Sequence, residues 1–167
     1  MITPDYCRTM ARYNAWQNRS LYGAADGLDD AARRLDRGAF FKSIHATLSH
    51  LLWGDTIWMS RFDGWEAPAT NLDGSPAYEE DWGALKSARL SADARMADWA
   101  GRVTPGDLTG DISWFSQAIG REITMPRDLL VMQMFNHQTH HRRQVHAMLT
   151  AAGARPDDTD LPFMPEE

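Results

Sequence analysis

The segment FNHQTHHRRQVH, residues 135–146, holds four of the chain's six histidines in twelve positions. A neutral imidazole nitrogen is a ligand for several divalent ions and also titrates near neutral pH. Spacing offers three pairs: His137 with His140, His137 with His141, and His141 with His146. A pair can do sustained chemistry only if it shares one buried face.

Helical periodicity sorts these pairs. Leu130, Met134, Val145 and Met148 mark an apolar stripe on a helix expected from Pro126 to Ala152, closed by Gly153. At 3.6 residues per turn, positions four apart differ by about 40° around the axis. The stripe therefore passes through His137 and His141, whereas His140 joins Gln133, Asn136 and Arg143 in a polar row. Two imidazoles on a buried face are costly unless something satisfies them, and a divalent ion does so directly. A hydrogen-bonded core pair is the structural alternative. The metalloprotease pattern H-E-x-x-H is absent because position 138 is Gln, so that class's general base is missing.

A third ligand has to come from another element. The second long helix, expected from about Phe40 to Phe62, carries His45 and His50, and periodicity leaves both open. Its stripe is Phe41, Ile44, Leu48, Leu51, Asp55, Trp58 and Phe62. Asp55 stands out as a carboxylate in an apolar row. It either pairs with a core Arg, a Trp N–H or a helix end, or orients a ligand or acts as an acid–base group.

The other elements are mainly helical as well. A first helix is expected over about Pro4 to Gly27 and a third over about Asp81 to Val103, with LDDAARRLDRG as a short helical or turn connection. The stretch EAPATNLDGSPAYEED has no period and reads as a long loop, of the kind that often carries function. Residues 111–125 alternate rather than cycle, with Gly120 placed for a turn, and suggest a small β-hairpin or an extended crossover. The acidic, Pro-rich tail is expected to lie against the surface. Together these give an all-α fold, a four-helix bundle with a long crossover connection and a small β-hairpin before the last helix, as one domain over 1–167.

Composition narrows the function. A chain of 167 residues can bury a real core. Its net charge of −6 disfavours nucleic acid and anionic membranes as partners. Seven Trp and nine Met read first as core packing. The first residues lack the apolar core of a signal peptide, and no apolar run approaches the roughly 20 residues that span a bilayer. A reduced, cytoplasmic protein is expected. Cys7, without a neighbouring His or Lys, reads as a packed thiol.

Three segments, RYNAWQNRSLY, SIHATLSHLLWGDTIWMSRF and FNHQTHHRRQVHAMLTAAGARPDDTDL, resemble the DinB (damage-inducible) family over nearly the whole chain. The resemblance implies a four-helix bundle, commonly dimeric, with a divalent metal held by His50, His137 and His141. It selects His50 over His45. It also implies an open metal site, in an enzyme that activates a low-molecular-weight thiol or water toward a small electrophile, with zinc or nickel as the leading ions and iron or manganese as others. Trp53, Trp58 and Trp114 are candidates for an apolar pocket, and Asp55 or Arg143 for orienting a substrate. A stress-related metal-binding homodimer without catalysis is the competing expectation. One departure is Arg143, which stands where many relatives carry glycine.

Overall fold

The computed structural model describes residues 1–117 and 119–166. Among them are five α-helices and one two-stranded antiparallel sheet. The helices are α1 (Pro4–Asp26), α2 (Asp30–Arg34), α3 (Ile44–Phe62), α4 (Trp82–Arg102) and α5 (Arg127–Ala151). Strands β1 (Asp111–Ser116) and β2 (Arg121–Pro126) pair from Asp111 opposite Pro126 to Ser116 opposite Arg121.

Local chemistry sets most of the helix ends. Thr3, Asp29, Ser43 and Asp81 each accept a hydrogen bond from a first-turn N–H of α1, α2, α3 and α4. Gly153, at φ 83°, follows α5, and the Ala154 N–H returns to the Leu149 carbonyl. Gly27 closes α1, and Gly23 lies inside it.

The expected start of the second long helix needs correction. It begins at Ile44, not near Phe40. Ser43 caps it, and residues 39–42 form a turn closed by an Ala39–Lys42 bridge, with Lys42 at φ 67°. Phe41 therefore belongs to no helical stripe. The turn instead places its ring 3.9 Å, centroid to centroid, from that of His50.

Helix α1 packs against α4 and α5, and α3 against α5 and α4. Leu21, Ile44, Leu48, Met59, Leu85, Met96, Val131, Phe135 and Leu149 are fully buried between them. Each such side chain contributes about 1.5–3 kcal/mol by leaving water. Trp16, Trp65, Trp99, Met59, Met96, Met134 and Met148 are core residues, as their abundance suggested. The tail lies along α1: Gln17 Nε2 donates to the Asp158 carbonyl at 2.8 Å and Tyr13 Oη to the Thr159 carbonyl at 2.7 Å. No helix of the described residues is long and apolar enough to cross a membrane.

Candidate metal centre

His50 on α3 meets His137 and His141 on α5. The ring centroids are 5.1 Å apart for His50–His137, 4.9 Å for His50–His141 and 4.5 Å for His137–His141. One nitrogen from each ring lies within 4.8 Å of the others, and the Nε2 atoms of His50 and His137 are 3.1 Å apart. Two ligands on a tetrahedral zinc, at about 2.0–2.1 Å each, would be about 3.3 Å apart. His50 and His141 are buried and His137 is partly exposed.

Two of the three outward nitrogens are already engaged. His50 Nδ1 is 2.7 Å from Ser75 Oγ, and His141 Nδ1 is 2.8 Å from Gln144 Oε1. Because Gln144 Oε1 only accepts, His141 carries its proton on Nδ1 and keeps the Nε2 lone pair free. Burial pushes His50 down to about 3 and His137 down to about 4, with the neighbouring imidazoles adding to the effect, and it lowers His141 as well. Three neutral imidazoles converging on one point are a donor set that suits a divalent ion.

Close packing brings the two helices together at this point. A Cβ on Gly54 would lie 3.2 Å from His137 Cε1, so α3 approaches His137 through a residue without a side chain. Phe41 covers His50 and reaches His141 at 5.3 Å, while the Trp53 ring stacks 5.8 Å from His50.

The other candidate residues go elsewhere. His45 Nε2 lies 2.9 Å from the Glu79 carbonyl, apart from the triad. Asp55 is paired in the core with Arg89 and accepts from Gln138 Nε2. Arg89 also pairs with Asp93 at 2.8 Å, and Asn18 Nδ2 donates to Asp93 at 2.9 Å. Asp55 thus belongs to a buried polar network joining α1, α3, α4 and α5. Trp58 and Trp114 meet edge to face at 5.9 Å, and the Arg61 guanidinium lies 4.7 and 5.1 Å from the two rings. His140 is exposed and accepts from Gln144 Nε2 at 3.3 Å, while Arg143 is exposed on the same helix. Cys7 is fully buried, and burial pushes its thiol up to about 11, away from reactivity at neutral pH.

Two participants escape the sequence reading. Ser75 sits 25 positions from His50 in a loop without periodicity, so no spacing rule links them. Gln144 was legible in principle, as the residue three positions after His141 on one helix face.

No curated protein and no solved structure matches the chain. The family model described as "DinB family" matches residues 1–167. With that match over the whole chain, and with three histidines gathered across α3 and α5, the chain belongs to the DinB family.

Proposed function

We propose that His50, His137 and His141 hold one divalent ion with at least one coordination position open, and that the protein is an enzyme directing a thiol or water at a small electrophile. The observation that carries this is the convergence of three neutral imidazoles, without a fourth protein ligand in the cluster among the described residues. Closed structural zinc sites ordinarily use four protein ligands. When bound, the ion supplies Lewis acidity that lowers the pKa of a thiol or water toward neutrality. Zinc or nickel is the first choice and iron or manganese the second, since imidazole suits several of these ions.

A low-molecular-weight thiol is the preferred nucleophile, in the manner of a thiol S-transferase. Its pKa, about 8.5, already lies near neutrality, so it needs little help from a general base. Hydrolysis asks for more, and Gln138 is committed to Asp55 in the core. A reduced cytoplasm would supply the thiol. The proposal extends to one domain over 1–167, a four-helix bundle with a long crossover that works as a homodimer, with neither nucleic acid nor membrane as a partner. The same lack of an acid–base group favours the second reading, a stress-related metal-binding dimer without catalysis.

The test is metal content by elemental mass spectrometry on tagless wild type, His50→Ala and His141→Ala. About one divalent ion per chain in wild type, lost in both variants, supports the site. Turnover of electrophiles with added thiol then separates the enzyme from the non-catalytic dimer. A folded wild type that carries no ion and takes up neither zinc nor nickel sinks both readings.

A further inference from the structure

The long connection between α3 and α4 is laid along one face of α3. Five hydrogen bonds made by α3 side chains fasten it among the described residues. His45 Nε2 meets the Glu79 carbonyl at 2.9 Å, and Trp53 Nε1 donates to the Thr70 carbonyl at 2.9 Å. Ser49 Oγ donates to the Ser75 carbonyl at 3.3 Å and accepts from the Glu79 N–H at 3.0 Å. Four of the five use loop backbone, which any residue supplies. The fifth, Ser75 Oγ to His50 Nδ1 at 2.7 Å, is the one that needs a particular loop side chain. Ser75 is fully buried, at the start of a short 3-10 turn opened by Pro76.

We infer that Ser75 is a positioning residue for the metal centre: its hydroxyl accepts from His50 Nδ1–H, which fixes the ring's orientation and leaves the Nε2 lone pair for the ion. The inference rests on the proposed three-histidine site and names what tunes it. A serine hydroxyl can also donate, and donation to Nδ1 would put the imidazole proton on Nε2, facing His137 Nε2, where no ion could then bind. Accepting is the role compatible with ligation. Gln144 does the same for His141 from within α5, so two of the three rings are oriented through their far nitrogens, one by the ligand's own helix and one by the loop. The loop's contribution to the site is therefore a single hydroxyl held in place by backbone bonds.

The experiment is a zinc competition titration against a chromophoric chelator on wild type, Ser75→Ala, Ser49→Ala and His50→Ala, with metal-free thermal melts alongside. Partners that orient a ligating histidine typically matter by about 10–100-fold in affinity, and Ser75→Ala is expected to weaken zinc binding by that factor. Ser49→Ala removes loop fastening but not the Ser75 hydroxyl, and is expected to weaken zinc binding by less than about threefold. A Ser75→Ala protein that binds zinc like wild type, or a Ser49→Ala protein weakened just as much, overturns the role of the hydroxyl. Loss of binding in His50→Ala together with either of those results leaves the three-histidine site standing. Unaltered binding in His50→Ala removes the site itself. Should Ser75→Ala fail to fold, nitrogen-15 NMR of zinc-loaded wild type decides: a protonated Nδ1 on His50 supports the inference, and a metal-bound Nδ1 overturns it.

Discussion

A methyl group on Gly54 would sit 3.2 Å from His137 Cε1 and 3.6 Å from its Nδ1, so the ring would have to move. Glycine inside a helix ordinarily costs about 0.5–1 kcal/mol relative to alanine. Gly54→Ala should therefore change the stability of the metal-free protein by less than about 1 kcal/mol, because the displaced ring offsets that gain. It should also weaken zinc binding about tenfold or more by shifting one ligand. Thermal melts of the metal-free form and a zinc titration read the two effects separately, and a variant that binds zinc like wild type would remove Gly54 from the account. The glycine is visible in the sequence beside Asp55, but its meaning is not, because the ring it admits lies 83 positions away in the chain.

At the scale of elements, α3 presents two histidines with different duties. His50 faces α5, and His45 fastens the loop through Glu79, with its Nδ1 buried and unpartnered. Burial lowers the His45 pKa against the pull of the Glu79 bond; Arg34 and Arg33 of α2 push the same way as burial, and Asp30 opposes them. The folded protein thus binds fewer protons at this ring than the unfolded chain, whose histidine titrates near 6.5. The stability His45 contributes is complete above about pH 6.5 and is lost as pH falls toward the depressed folded value. Unfolding free energies from urea titrations between pH 8 and 5 should fall less steeply in His45→Gln than in wild type, by no more than about 1.4 kcal/mol per pH unit. Equal slopes would mean that His45 titrates alike in both states. Periodicity could not separate the two histidines, since each sits off the centre of the stripe, whereas the family resemblance selected His50.

Across the whole molecule, the four long helices share a buried polar network in which Arg89 stands between Asp55 and Asp93. All three are nearly inaccessible to water. Removing Arg89 would leave two buried carboxylates without their paired guanidinium, with the buried Arg142 as the remaining cation whose field reaches them. Arg89→Met should cost roughly 3–5 kcal/mol in urea denaturation. A loss under about 1 kcal/mol would show that water or rearrangement satisfies the carboxylates instead. Because Gln138 and Asp55 are chain neighbours of His137 and Gly54, this network also sets how α3 and α5 meet at the triad.

The long helices, the glycine that ends the last of them, the β-hairpin and the shared face of His137 and His141 were legible in the sequence, because each depends on a repeat of a few residues and on local hydrogen bonds. The same local reasoning extended the second long helix to Phe40, where a capping Ser43 and a turn at Lys42 interrupt it. Apolar periodicity marked Asp55 as unusual without naming Arg89, and the tryptophans as bulky without showing that Trp53 alone of the three candidates stacks near the triad. Which α3 histidine turns toward α5, which serine of an aperiodic loop reaches it, and where the buried carboxylate finds its cation were decided by tertiary packing. Those pairings join positions 25 to 87 residues apart, and only the rotation and approach of packed helices bring them within hydrogen-bond distance.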